Sequence, residues 1–157
     1  VMELDDRYLL ETCEEFDFAN PPFDPIQFSQ NLVKFMYEQN ALGLAANQVG
    51  NPYRIFAMRG QPENFVCFNP KIIQASEQEV LLEEGCLSYP KLIVKLKRPQ
   101  HVRVRFQTPN GETLTKQFTG MTARVFQHEM DHLMGVRFFD LANKYHRDKA
   151  LKKWNKE

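Results

Sequence analysis

The chain has 157 residues, 43% of them hydrophobic and 25% charged, which suits one domain built around one hydrophobic core. Its 20 basic and 20 acidic side chains cancel, and this balance argues against a general nucleic-acid-binding protein. The 3 cysteines do not suggest a disulfide framework. Because the sequence also shows no signal peptide and no apolar run near the roughly 18 residues of a membrane span, we expect a cytoplasmic protein.

A helix is predicted after the acidic segment formed by residues 1–24. Asp24 can cap this helix, and Pro25 suits its first position. An apolar stripe at helical spacing follows, formed by Phe28, Leu32, Phe35 and Met36. The helix should end near Asn40.

Residues 51–120 have the pattern of short strands and turns. The predicted strands are Tyr53–Met58, Asn64–Asn69, Lys71–Ala75, Glu79–Leu82, Leu92–Leu96, His101–Phe106 and Thr113–Phe118. Apolar and charged residues alternate in the sixth strand, which predicts one buried and one solvated face. Pro109-Asn110-Gly111 is a hairpin turn signal, so the sheet should be largely antiparallel.

Helical pattern returns at Thr122–Leu133, and Gly135 is placed to end this helix. A final, basic helix is predicted at about 141–154. Helices therefore bracket a β region, which predicts the α+β class. Neither a repeat nor a domain-sized linker interrupts the sequence, so we expect residues 1–157 to form a single catalytic domain.

The segment His128-Glu129-Met130-Asp131-His132 predicts a metal site. Residues four apart on a helix lie on one face, so both imidazoles can reach a single ion. Glu129, beside the first histidine, could take a proton from a water bound to that ion. This is the H-E-x-x-H arrangement of metal-dependent hydrolases.

A catalytic metal of this kind needs a third protein ligand, and the residues leave several candidates open. One protease variant places a third histidine where this chain has Phe138, which cannot bind metal. Asp140, His146 and Glu157 lie downstream without a supporting motif. Cys86, in the segment Glu84-Gly85-Cys86-Leu87-Ser88, is the better candidate because metal binding deprotonates a thiol. Cys67 and Cys13 have the context of ordinary buried cysteines.

Three segments resemble the signature motifs of the peptide deformylase family. They are Ala41–Gln48, Glu84–Ser88 and Gln127–His132, in the family's own order. The first departs from glycine-x-glycine-apolar-Ala-Ala-x-Gln only at Ala41. The resemblance implies largely antiparallel sheets packed around a central helix that carries the third motif. It also implies a hydrolase that removes the formyl group from N-formylmethionyl peptides of newly made proteins.

The resemblance also implies roles for individual residues. The metal ligands would be Cys86, His128 and His132, and Glu129 would act as general base and acid. Gln48 and the backbone N–H of Leu87 would stabilise the oxyanion. The metal would be iron(II), with zinc, nickel or cobalt able to take its place. Asp131 would be a surface group or one that orients a ligand histidine.

The substrate pocket is the least defined part of the site. Its candidate residues are Leu42, Gly43, Met121 and Val125. Arg124 lies one turn before His128, where the family often presents an apolar residue. Unless it points to solvent or borders the rim, this arginine is a departure from a standard methionine pocket. The small apolar run Gly43–Ala46 could pack as helix or, as in the family, present backbone to the substrate peptide.

Partners and alternative functions complete the sequence-based expectations. A monomer is expected, with a weak ribosome contact through Lys149, Lys152, Lys153 and Lys156. One alternative is a small metalloprotease with Asp140 or Glu157 as third ligand. Another is a binding protein that keeps the fold without turnover.

Overall fold

The computed structural model describes residues 2–156 and confirms the α+β class. The helices are α1 (Pro25–Glu38), α2 (Gly120–Leu133) and α3 (Lys144–Asn155). The strands are β1 (Gly43–Ala45), β2 (Ile55–Met58), β3 (Phe65–Ala75), β4 (Glu79–Cys86), β5 (Tyr89–Pro99), β6 (His101–Gln107) and β7 (Thr113–Thr119). Every strand pair is antiparallel: five strands form one sheet in the order β1-β2-β3-β6-β7, and β4 and β5 form a separate hairpin.

Helix α1 begins and ends as its sequence predicts. The Asp24 carboxylate accepts hydrogen bonds from the N–H groups of the helix's first turn, and Pro25 occupies the first position. Leu32 and Met36 are completely buried. Asn40 then takes a left-handed conformation with φ of 55°, which ends the helix and turns the chain toward β1.

Strand β3 is one element where the sequence predicted two. Its pairing with β6 shifts register between Phe68 and Lys71, which marks a bulge. Asn69 has a φ of 51° at this point, and Pro70 carries no N–H for the sheet. Asn69 exchanges two hydrogen bonds with the backbone of Phe16, at 2.8 and 2.9 Å. The prediction of two strands was wrong because these two residues interrupt the pattern without ending the strand.

Strand β1 lies at the edge of the sheet and is only three residues long. Leu42 C=O accepts the N–H of Arg59 at 3.0 Å, and Leu44 pairs with Ala57. By the alternation of an antiparallel ladder, Leu42 and Leu44 direct their polar backbone groups toward β2. Gly43 therefore directs its N–H and C=O toward the open edge, where a further strand can pair.

Helix α2 lies between the two sheets, as the resemblance implied. Phe126 packs edge-on against Phe56 of β2, with ring centroids 5.0 Å apart. On its other side α2 contacts β5. The helix ends at Leu133, and Gly135 follows it with a φ of 71° and with its N–H bonded to His132 C=O, which forms a left-handed cap.

The C-terminal helix begins later than predicted. Phe138–Leu141 forms a short 3₁₀ turn that buries both phenylalanines against β5, and Asn143 then caps α3 by accepting the N–H of His146. The 3₁₀ turn accounts for the start at Lys144 in place of residue 141. None of the helices within residues 2–156 is long and apolar enough to cross a membrane.

Candidate metal centre

Cys86, His128 and His132 come together at the junction between the hairpin and α2. One donor atom from each lies within 4.8 Å of the others. The sulfur of Cys86 is 3.2 Å from Nε2 of His132. Among residues 2–156 this is the only set of His, Cys, Asp or Glu side chains that converges in this way. A thiolate with two imidazoles is a donor set that suits a divalent transition metal.

The other candidate ligands lie elsewhere. Asp140 is exposed and pairs with Arg137 at 2.8 Å. His146 lies on α3, beside the outer face of the hairpin. Phe138 is buried against the ring of His128, with centroids 5.3 Å apart. Glu157 lies outside the described residues.

The remaining two cysteines are buried, as their sequence context predicted. Burial raises the pKa of the Cys13 thiol to about 11 and that of the Cys67 thiol well above its ordinary value. Both side chains therefore stay protonated and behave as small apolar groups.

Glu84 organises the centre. One of its carboxylate oxygens lies 2.9 Å from Nδ1 of His128, so Nε2 of that ring is left to face a cation. Arg98 donates two hydrogen bonds to the same carboxylate, at 2.6 and 2.9 Å. Nε of Arg124 lies 2.8 Å from it, as an ion pair without an aligned hydrogen bond. The sequence marked Glu84 as part of a motif but did not reveal this role.

The pKa values of Glu84, His128 and His132 indicate that the site favours positive charge. Burial raises the pKa of Glu84, but the hydrogen bonds from His128 and Arg98 outweigh burial and lower that pKa to about 2. Burial lowers the pKa of His128, but its contacts with Cys86 and Glu84 outweigh burial and raise the pKa to about 10. Burial, helped by the charge of His128, lowers the pKa of His132 well below its ordinary value. The acidic groups around His128 therefore favour positive charge at this position, as a bound cation would supply.

Two neighbouring residues make contacts that the sequence did not reveal. Arg124 is neither on the rim nor in solvent, because it is 5% exposed and its guanidinium donates to the carbonyls of Val80, Leu82 and Leu96 on the hairpin. Asp131 does not contact a ligand histidine. It accepts a hydrogen bond from Arg98 at 2.7 Å and reaches the centre only through that arginine.

Glu129 is buried beside the centre and keeps one oxygen unpaired. Among the described residues no hydrogen-bond partner reaches its Oε1. The other oxygen lies against Gly43, where an added Cβ would be 2.8 Å from it. Burial raises the pKa of Glu129 to about 7. A carboxyl group with this pKa can both accept and release a proton near neutral pH.

Gln48 presents its amide nitrogen to the centre. Its side-chain oxygen accepts the N–H of Ala45 at 2.9 Å, which fixes the orientation of the amide. Its nitrogen donates to the hydroxyl of Ser88 at 3.0 Å and lies 3.7 Å from the sulfur of Cys86. Leu87 follows Cys86 in the two-residue turn of the hairpin.

A cavity of about 310 Å³ opens above these residues. All four predicted pocket residues line it, namely Leu42, Gly43, Met121 and Val125. Leu42 and Met121 are 54% and 58% exposed, so they form its mouth, whereas Glu129 and His128 lie at its buried end. The sequence did not reveal one further contact near the centre. The side chain of Asn47 donates a hydrogen bond to His132 C=O, near the C-terminal end of α2, at 2.5 Å.

Comparisons with known proteins agree with this geometry. The family model described as polypeptide deformylase matches residues 1–148. The peptide deformylase of Pseudothermotoga lettingae is 44% identical over 117 residues, covering 74% of this chain and 67% of the relative. The peptide deformylase of Bradyrhizobium diazoefficiens is 37% identical over 139 residues, which covers 83% of this chain and 80% of the relative.

Solved structures of the same enzyme have the same fold. A peptide deformylase from Synechococcus elongatus in complex with actinonin aligns with a TM-score of 0.87 at 31% identity, over 98% of this chain and 88% of that one. A Plasmodium falciparum peptide deformylase with an inhibitor aligns with a TM-score of 0.85 at 32% identity, over 96% and 94%.

The role of Glu84 predicts a large loss of stability in Glu84→Gln. The variant removes the negative charge that balances two buried arginines, so we expect the free energy of unfolding in urea at pH 7 to fall by about 3–5 kcal/mol. Glu83→Gln, an exposed neighbour on the same strand, should change it by less than about 0.5 kcal/mol. The folded pKa of Glu84 is depressed to about 2 from 4.5, so its contribution is present above pH 4.5 and is lost as pH falls toward 2. Equal stabilities of the two variants at pH 7 would contradict this role.

The raised pKa of Glu129 predicts the opposite effect in Glu129→Gln. In the metal-free protein the folded pKa of about 7 exceeds the ordinary 4.5, so ionisation of Glu129 opposes folding increasingly between these values and fully above them. We expect the variant to be more stable than the native protein by about 3 kcal/mol at pH 8 and equally stable at pH 4.5. Urea unfolding of the native protein and the variant, in the presence of a chelator, measures the difference in free energy of unfolding at each pH. If the difference in free energy of unfolding between the two proteins stayed constant from pH 4.5 to pH 8, the raised pKa of Glu129 would be contradicted.

Proposed function

Because the chain belongs to the polypeptide deformylase family, we propose that the residues around its cavity catalyse removal of the formyl group from N-formylmethionyl peptides of newly made proteins. The observation that carries this proposal is the convergence of Cys86, His128 and His132 at the buried end of the cavity. The substrate's formyl group would bind there, and its peptide would extend toward the mouth.

Cys86, His128 and His132 would hold one divalent ion. Such an ion supplies the Lewis acidity that makes a water molecule a strong nucleophile at neutral pH. Glu84 supports this role because it fixes the orientation of the His128 ring. We propose iron(II) as the native metal on the basis of the family resemblance, and the same donors accept zinc, nickel or cobalt.

Glu129 would take the proton from the attacking water and deliver it to the departing amine. Its unpaired oxygen and its pKa of about 7 support both steps. Glu129 is 4% exposed, so protein groups and substrate, more than bulk solvent, would surround the proton that it carries.

Gln48 and the N–H of Leu87 would stabilise negative charge on the former formyl oxygen. The bond from Ala45 to the Gln48 side-chain oxygen supports this role, since it turns the amide N–H₂ toward Cys86. Losing one donor of this type typically raises the barrier by about 2.7–4 kcal/mol.

Gly43 would hold the substrate backbone, and an apolar pocket would take the methionine side chain. The open edge of β1 at Gly43 can pair with an extended peptide. Val125, Met121 and Leu42 would form the walls of the pocket. Arg124 also lines the cavity, but the hairpin carbonyls and Glu84 engage its guanidinium, so its charge is already paired.

We further propose that residues 1–157 act as one catalytic domain, as a monomer in the cytoplasm. A single chain supplies every proposed catalytic residue, and α2 joins the five-stranded sheet to the hairpin. The proposed substrate is produced in the compartment where polypeptides are made, which supports the location.

A weak ribosome contact through the basic C-terminal tail is also proposed. The lysines of α3 face lysines of β5 across a groove of about 420 Å³. Its basic residues are Lys91, Lys95, His146, Lys149 and Lys153. A surface of this charge attracts the phosphates of ribosomal RNA.

The proposed function predicts formate release from N-formyl-Met-Ala-Ser by anaerobically purified, metal-loaded protein. Glu129→Gln should lower kcat by at least about 100-fold, because general acid–base catalysis is lost, while metal content stays unchanged. Actinonin, which the S. elongatus relative binds, should inhibit release. Folded, metal-loaded protein that binds the peptide without turnover would support a binding protein instead, and internal cleavage would support a metalloprotease.

The ribosome contact predicts salt-sensitive co-sedimentation with ribosomes. Lys149→Glu with Lys153→Glu should reduce binding severalfold and leave formate release unchanged, because the groove lies away from the metal centre. Lys34→Glu with Lys116→Glu removes the same charge from α1 and β7 and serves as control. Equal co-sedimentation of both double variants would contradict the contact.

A further inference from the structure

Arg59 holds the chain segment that leads into β1. Its backbone N–H donates to Leu42 C=O at 3.0 Å, and its side-chain Nε donates to Ala41 C=O at 2.8 Å. Its guanidinium lies over the ring of Tyr37, 4.1 Å from the centroid. The Tyr37 hydroxyl in turn donates to Asn64 at 2.9 Å. One arginine therefore links the end of α1, the start of β1 and the end of β2.

The segment that Arg59 holds forms one side of the cavity mouth. Ala41 and Leu42 both line the cavity, whereas Arg59 does not. Leu42 is 54% exposed. Contact with the substrate would therefore involve Ala41 and Leu42, and Arg59 would act only through them.

A substrate peptide can leave the centre in one direction along β1. Gly43 abuts Glu129, so the reacting end of the substrate lies beside it. Toward the C-terminal end of β1, Ala45 is completely buried and its N–H is bonded to Gln48. Toward the N-terminal end Leu42 is exposed, and the N–H and C=O of Ala41 are bonded to Met36 and Arg59, so a peptide there would contact side chains and not pair with the strand. Residues downstream of the formylated methionine therefore run along the segment that Arg59 fixes.

We propose that Arg59 is a positioning residue that fixes Ala41 and Leu42 as the rail for substrate residues downstream of methionine. This inference rests on the proposed deformylase function. Its consequence is a dependence on substrate length: a longer formyl peptide contacts both Leu42 and Ala41, whereas a minimal one contacts only Leu42, the wall of the methionine pocket. Arg59 would thus contribute to selection of nascent polypeptides over free formylmethionine.

The test is Arg59→Met assayed by formate release on formyl-Met-NH2, formyl-Met-Ala-NH2 and formyl-Met-Ala-Ser-NH2. We expect kcat/KM to fall about tenfold for the longest substrate, mainly through KM, because a charged hydrogen bond that orders the rail is lost. For formyl-Met-NH2 the loss should be less than about twofold, since this substrate ends before Ala41 and contacts only Leu42, whose C=O keeps its bond to the backbone N–H of residue 59. A general loosening of the fold would lower all three values alike.

Matched variants separate the rail from other effects. Arg59→Lys keeps a donor for Ala41 and should recover part of the loss. Tyr37→Leu removes the ring under the guanidinium and should reproduce the length dependence, whereas Tyr37→Phe keeps the ring and should not. Arg103→Met removes an exposed arginine from β6 of the same sheet and should leave all three substrates unchanged.

The outcomes distinguish this inference from the function on which it rests. If the native protein releases formate but Arg59→Met and Tyr37→Leu affect all three substrates equally, or none, the rail is wrong and the function stands. If the folded, metal-loaded native protein releases no formate from any substrate, the proposed function fails and the rail fails with it.

Discussion

The carboxylate of Glu84 is the contact on which the proposed metal centre depends. Cys86 lies on a hairpin that shares no strand with the five-stranded sheet, and both histidines lie on α2. Glu84 sits two residues before the cysteine and binds His128 directly, while Arg98 and Arg124 surround it. The position of the sulfur relative to the imidazoles is therefore set by charge pairing across the junction as well as by apolar packing. Removal of one partner from such a buried set leaves an uncompensated charge, which makes the geometry sensitive to single substitutions.

The same junction gives two buried carboxyl groups opposite properties. Glu84 is surrounded by cationic partners, and its pKa falls to about 2, so it stays ionised and acts as a fixed charge. Glu129 lies one residue beyond His128, has an unpaired oxygen, and burial raises its pKa to about 7. Separation of pKa values between neighbouring acids is a common way to divide structural and proton-transfer roles. The unpaired oxygen thus has a cost in folding that a proton-transfer role at this position would explain.

Much of the fold follows from local sequence, because its signals are short-range. Asp24 and Gly135 mark the two helix ends where the structure has them, and the four-residue spacing of His128 and His132 brings both rings to one side of α2. The contacts of Arg98 could not be predicted in this way. It is 14 residues from Glu84 in sequence and lies opposite Val80 in the hairpin, so neither spacing nor strand register predicts that the two side chains meet. Arg124 likewise has an ordinary helical position, and only the carbonyls of the opposite hairpin explain why a guanidinium is buried there.

Strand β1 shows why a three-residue element can matter more than longer ones. An exposed strand edge normally attracts unwanted pairing, and proteins protect it. Here Gln48 satisfies the N–H of Ala45, so within β1 the pairing groups of Gly43 remain open to the cavity. An added Cβ at Gly43 would lie 2.8 Å from the Glu129 carboxylate and 2.9 Å from Val125. The same glycine therefore lets a peptide approach the edge and lets the carboxylate approach the peptide. In the proposed reaction, pairing of the substrate with β1 would by itself bring its formyl group to the acid that transfers the proton.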